Sequence, residues 1–212
     1  MILGTRPEVI KLAPVVHESL QRENIVFEIC STGQHQGMLT QTLKSLDLKV
    51  DYDLELMTPD QALSTFHALA VSGIHNVLLS NEFDGVMVQG DTSSALAGAI
   101  AAFHAQIPIV HVEAGLRTWD LANPFPEEGN RMLIDALSAV CAAPTSDTAD
   151  NLRKSGVLES RIHVTGNTAI DSLLYMKMKI AELPRTDYMD VGTATINLNS
   201  RIITLTGHRR ES

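Results

Sequence analysis

With 212 residues, 44% of them apolar, the chain can build one large core or two small ones, and with 4% aromatic residues that core must rest on Ala, Val, Ile and Leu. A net charge of −9 excludes a non-specific nucleic-acid binder, which needs clustered Lys and Arg, but not a binder of an anionic small molecule held at a local positive site. Two cysteines, Cys30 and Cys141, both in apolar runs, exclude a disulfide framework or a zinc cluster.

In chain order, Met1 to Leu3 reads as a short strand. No basic stretch followed by an apolar one precedes or includes it, so no secretory signal is expected. A helix starts near Pro7, where a missing N–H is tolerated, and Val9, Leu12, Val16 and Leu20 form its apolar stripe. Pro14 falls inside that stripe and predicts a kink or an irregular turn. Ile25 to Cys30 is predicted as strand, Gly37 to Leu46 as helix and Tyr52 to Leu56 as a short extended piece. Leu63, Phe66, Ala70, Ile74 and Val77 line one face of a long helix. Gly85 to Gln89 has the continuous apolar character of a parallel strand covered on both faces. Helix Ser93 to His104 and strand Ile107 to Val112 follow; His104, Gln106 and Pro108 bar this apolar stretch from being a membrane span. Next come helix Glu128 to Leu137, strand Ala139 to Ala142, helix Asp147 to Ser155 closed by Gly156, strand Ile162 to Val164 and helix Ala169 to Leu183. Pro184 to Asn199 reads as a linker and Arg201 to Thr206 as a last strand, after which the chain stops as a fragment would. Repeated strand–helix units predict an α/β fold with a Rossmann-like, doubly wound parallel sheet in a soluble cytoplasmic protein.

Ligands of such sheets bind at the carboxyl ends of the strands. Polar clusters occupy those positions: Gly4-Thr5-Arg6-Pro7-Glu8, Gly90-Asp91-Thr92, Glu113-Ala114-Gly115-Leu116-Arg117 and His208-Arg209-Arg210, with Pro126-Glu127-Glu128 in the loop beyond Glu113. Asp91 and Glu113 follow their strands closely, so both carboxylates are expected in one crevice, where mutual repulsion would raise the pKa of one and suit it to acid/base work. Plainer roles are available to Asp91, as cap of the helix from Ser93, and to Glu127 and Glu128, facing a helix dipole. Glu113 has no obvious capping role. Arg6 and Lys11 lie at and just inside the first helix, where the dipole also favours an anion, or are solvated surface cations. His208 with Arg209 and Arg210 is either a phosphate grip with a proton carrier or a basic surface turn. Neither a GxGxxG turn nor a Walker sequence occurs.

These clusters, with Gln89, His111-Val112, Gly129-Asn130-Arg131, Thr165-Gly166-Asn167-Thr168, Gly207 and Glu211, stand in the order and at about the spacing of the non-hydrolysing UDP-N-acetylglucosamine 2-epimerases, which the chain resembles over nearly its whole length. The resemblance implies the N-terminal half of a glycosyltransferase-B-like two-domain fold, with a Rossmann-like domain over 1–166 and a bridging helix, linker and start of a second domain over 167–212. It implies interconversion of UDP-GlcNAc and UDP-ManNAc with no metal and no cofactor, by elimination of UDP and re-addition. Asp91, Glu113 and Glu127 would be the acid/base carboxylates, His208 would lie by the leaving phosphate, and Arg6, Lys11 and Arg209 would contact the substrate's anion. Gln34 and His35 match a regulatory nucleotide-sugar site, followed here by Gln36-Gly37 where the family carries Arg plus Glu or Gln. Trp119 to Pro124 also departs from the family's pattern before its Ser-Pro. A UDP-sugar is the expected partner, with a homodimer and without nucleic acid or membrane. A related epimerase of diacetamido uronic-acid UDP-sugars and a non-catalytic nucleotide-sugar-binding fragment are the alternatives.

Overall fold

Alternate residues of the short strands face opposite sides of the sheet, and the core divides accordingly. Ile2, Val86 and Val88 pack with Phe66, Ala70, Ile74 and a run of alanines from Ala95 to Ala102. Met1, Leu3 and Met87 pack instead with Val9, Leu12, Val16, Leu39 and Leu43. The computed structural model describes residues 1–33, 36–184 and 186–205. It forms two compact units, Met1–Met176 and Lys177–Ser212.

In the first unit, strands β1 (Ile2–Leu3), β2 (Cys30–Ser31) and β3 (Tyr52–Asp53) alternate with helices α1 (Arg6–Ser19), α2 (Gln36–Ser45) and α3 (Leu63–Leu79). Then come β4 (Val86–Gln89), α4 (Ser93–His104), β5 (Ile109–Val112), α5 (Glu127–Leu137), β6 (Val140–Ala143), α6 (Ser146–Lys154) and β7 (Ile162–Val164), and α7 (Thr168–Ala181) continues into the second unit. Two parallel ladders form, β1-β2-β3 and β4-β5-β6-β7, and they abut at β1 and β4. The order 3-2-1-4-5-6-7 reverses between β1 and β4, which makes that junction the switch point of a Rossmann-like α/β sheet. Register places Val86 opposite Ile109 and His111 opposite Cys141.

Most predicted elements are present with shifted ends, and four readings need correction, the fourth at Pro14. The predicted strand from Ile25 is paired only at Cys30–Ser31. The supposed linker holds an antiparallel hairpin, β8 (Tyr188–Asp190) with β9 (Thr195–Asn197), in the second unit. Residues 201–205 form no strand, since no strand of the described residues pairs with them.

Helix α1 runs through Pro14 without the interruption expected there. Proline has no N–H for the carbonyl four residues back, which is that of Ile10. The buried Ser172 hydroxyl of α7 donates to this carbonyl, so the freed acceptor is satisfied. No described helix is long and apolar enough to cross a membrane.

Candidate active site

The carboxyl ends of β1, β4 and β5 lie side by side, so the turns that follow them meet. Glu8, in the first turn of α1 and fully buried, ties two of them together. Its Oε2 accepts from Gly4 N at 2.9 Å, Thr5 N at 2.6 Å and Thr5 Oγ1 at 2.7 Å. Its Oε1 accepts from Thr92 Oγ1 at 2.6 Å. Thr92 Oγ1 in turn accepts from Ala95 N at 3.0 Å, so Thr92 is the cap of α4 and Asp91 is released from that role.

Burial pushes the Glu8 carboxyl above its ordinary value of 4.5, against the four hydrogen bonds that favour the anion. The folded chain therefore holds this proton where the unfolded chain has lost it. The resulting stabilisation is complete below 4.5 and is lost as the pH rises through the raised value. Glu8→Gln cannot titrate. The melting temperature of the wild type, relative to this variant, is expected to fall as the pH is raised above 4.5. A gap that stays constant between about pH 4 and pH 8 would reject the raised carboxyl.

Glu113 stands just past β5 with φ at 66°, a left-handed conformation unusual for a side chain of its kind. Its Oε2 accepts from Lys11 Nζ of α1 and from Gln89 Nε2 at the end of β4. Only 12% of its side chain is exposed. Asp91 Oδ2 accepts from Arg131 of α5, at 2.7 Å from Nε and 2.6 Å from Nη2. Arg131 Nη1 also reaches Glu128 at 3.0 Å, and Asn130 Nδ2 donates to the Asp91 carbonyl at 2.7 Å. Burial opposes ionisation of Glu128, but N–H donation from Thr118 and Trp119 and the charge of Arg131 outweigh it and lower its pKa.

The expected mutual repulsion of Asp91 and Glu113 is thus replaced by separate pairing: each carboxylate has a cation of its own. Lys11, read as an anion contact, lies on Glu113 here. Glu127 opens α5, half-buried, next to Glu128. Arg6 is exposed at the start of α1 and lines a cavity of about 510 Å³ with Ile10, Gln41, Thr42 and Ser172. Gln34, His35, His208 and Arg209 lie outside the described residues. Among the described residues no group of three or more His, Cys, Asp or Glu side chains could hold a metal ion.

Beneath the turns lies a buried ionic cluster that the sequence did not disclose. His111 Nδ1 meets Asp135 Oδ1 at 2.6 Å, and Arg117 Nη2 meets Asp135 Oδ2 at 2.6 Å. Burial would raise the Asp135 pKa, but the hydrogen bond and charge of His111 and the charge of Arg117 outweigh it and hold it down. Gln89, Arg131 and Glu8 are further site residues that had no assigned role, and Glu128, read as facing a helix dipole, is another. The sequence signals for Arg131 are its place in the family's motif and its spacing, three and four residues after two glutamates on a helix.

The family model described as UDP-N-acetylglucosamine 2-epimerase matches residues 18–212. The chain belongs to that family. It is 41% identical, over all of its own length and 57% of the relative's, to a UDP-N-acetylglucosamine 2-epimerase of Neisseria meningitidis. A Campylobacter jejuni UDP-N-acetylglucosamine 2-epimerase is 43% identical over all of this chain and 56% of its own. The chain therefore spans little more than half the length of these curated relatives. Among solved structures, the Neisseria meningitidis UDP-GlcNAc 2-epimerase bound to UDP-GlcNAc superposes with a TM-score of 0.81 at 42% identity, over 84% of this chain and 49% of that one. The Methanocaldococcus jannaschii UDP-GlcNAc 2-epimerase in complex with UDP-GlcNAc and UDP gives 0.78 at 39% identity, over 84% and 49%. The expected family and its Rossmann-like α/β fold are therefore those of the chain.

Proposed function

We propose that this chain carries the carboxylate-bearing part of the active site of a UDP-N-acetylglucosamine 2-epimerase, converting UDP-GlcNAc to UDP-ManNAc. The observation that carries the proposal is the placement of Glu113 beside the switch point, held in a left-handed backbone conformation with Lys11 and Gln89 on its carboxylate. The C2 proton of the sugar is too weakly acidic for simple removal. A carboxylate takes it as the C1–O bond to UDP breaks, and UDP leaves with the bonding electrons to give the 2-acetamidoglucal. Return of the UDP oxygen to C1, with a proton delivered to the other face of C2, gives the epimer.

The reaction needs a base, an acid on the opposite face and cations for the pyrophosphate. Glu113, Asp91 and Glu127 serve as the acid/base set, with Lys11 and Arg131 paired to Glu113 and Asp91. Arg6, His208 and Arg209 serve the departing diphosphate. A homodimer in the cytoplasm is part of the same proposal, supported by the family resemblance.

The test is an NMR time course with UDP-GlcNAc in deuterated buffer. It is run on the 212-residue chain and on its fusion to the C-terminal remainder of the Neisseria meningitidis relative. Deuterium at C2 and UDP-ManNAc are expected from the fusion, with little or none from the chain alone. A folded fusion that produces neither would overturn the substrate assignment.

A further inference from the structure

We propose that His111 and Asp135 are positioning residues: through one buried ionic cluster they lock the turn bearing Asp91 and the turn bearing Glu113 into a common register. The proposal rests on the reading of those carboxylates as the acid/base groups. None of the residues in the cluster is exposed enough to meet a ligand: the side chains of His111, Asp135 and Arg117 are 0%, 1% and 0% exposed.

The contacts run to both turns. His111 Nε2 lies 2.7 Å from the carbonyl of Gly90, the residue before Asp91. A carbonyl only accepts, so Nε2 carries a proton. The other ring nitrogen meets Asp135, whose second oxygen takes the Arg117 guanidinium at 2.6 Å and the Gly115 N–H at 3.3 Å. Asn151 Nδ2 holds the Gly115 carbonyl from the other side at 3.1 Å. His111 itself belongs to β5, two residues before Glu113. The imidazole thus spans from the Asp91 turn, across the end of β5, to the helix carboxylate that fixes the Glu113 turn.

Both turns hold residues in left-handed backbone, with φ of 68° at Gly90, 66° at Glu113 and 85° at Gly115. A non-glycine in that region persists when its surroundings over-determine it, and here Lys11 and Gln89 hold the Glu113 side chain while the cluster fixes the turn at Gly115. Stability alone does not explain charges in this place, because apolar side chains of similar volume often stabilise a core equally well. What a polar cluster adds is direction: each of its hydrogen bonds has one geometry, and two of them end on the turns that carry the reacting groups.

Three substitutions divide the cluster. The amide nitrogen of a glutamine sits near the place of Nε2, so His111→Gln keeps the Gly90 contact and loses Asp135. That of an asparagine sits near Nδ1, so His111→Asn does the reverse. His111→Phe loses both. In amide NMR spectra of the 212-residue chain, His111→Gln and His111→Asn are each expected to move the signals of Gly90 and Asp91 together with those of Glu113 to Arg117. In the fusion, His111→Phe should lower kcat about a hundredfold with KM within about twofold, and His111→Gln should recover about tenfold of that loss.

Perturbations confined to the turn whose contact was removed would overturn the proposal. So would a His111→Phe variant that melts earlier yet keeps its kcat. Should His111→Phe not fold, the Gln and Asn variants decide alone. If the wild-type fusion has no turnover, the epimerase reading fails and the amide spectra still decide whether the turns are coupled.

Discussion

Glu113→Gln is expected to slow C2 deuterium incorporation by about a thousandfold in the fused enzyme while leaving KM for UDP-GlcNAc within about threefold. Glutamine has the volume of glutamate, and its amide oxygen can still accept from Lys11 and Gln89, so the turn keeps its shape. What disappears is the capacity to take and return a proton. Lys11 then faces a neutral amide, so its charge is no longer neutralised within the site. Binding of the anionic substrate should improve slightly for that reason, so KM should fall a little while kcat falls steeply. A loss below about tenfold would assign the proton transfer to Asp91 or Glu127 and reduce Glu113 to an anchor for Lys11.

Gly115→Ala is expected to destabilise the fold by about 3–5 kcal/mol, read as a drop in the urea midpoint at unchanged slope. Two effects combine at this position. The backbone is left-handed, at φ 85°, where a Cβ is disfavoured. That Cβ would also stand 2.2 Å from the carbonyl oxygen of Thr148 and 2.9 Å from Leu152 Cγ. Thr148 lies inside α6, so the oxygen cannot yield without moving a helix that packs through Ala149 and Leu152. Gly156→Ala separates the two effects. Its φ is 82°, yet nothing lies within 4 Å of the added atom, so only the backbone penalty of about 1 kcal/mol should appear. Equal losses at the two sites would show that α6 gives way freely and that the close approach carries no weight.

The alternation of strands and helices was legible because the apolar runs are bounded by polar turns, and the helix Ser93 to His104 was read with the ends it has. The hairpin of β8 and β9 was not legible. Its strands have three residues each, too short for a two-residue period to register, and most of their side chains are exposed. Pro14 misled for another reason: the rule against proline in a helix concerns a hydrogen bond, and Ser172, far away in sequence, mends the deficit.

At the site, Asp91 and Glu113 stood out because strand ends are visible as abrupt changes from apolar to polar. Their partners did not, since Lys11 is 102 residues from Glu113 and Arg131 is 40 from Asp91, and spacing says nothing at that range. His111 sits in an apolar strand and Asp135 in a helix beside Ile134, so each reads as an isolated polar residue until the fold brings them together.

The bond from Ser172 to the Ile10 carbonyl also orders events during synthesis. The ribosome releases the residues of α1 before those of α7, so one backbone acceptor in α1 is without its protein partner until α7 has emerged. Until residue 172 is out, the Ile10 carbonyl must therefore be satisfied by water. The first helix of the unit is completed by its last.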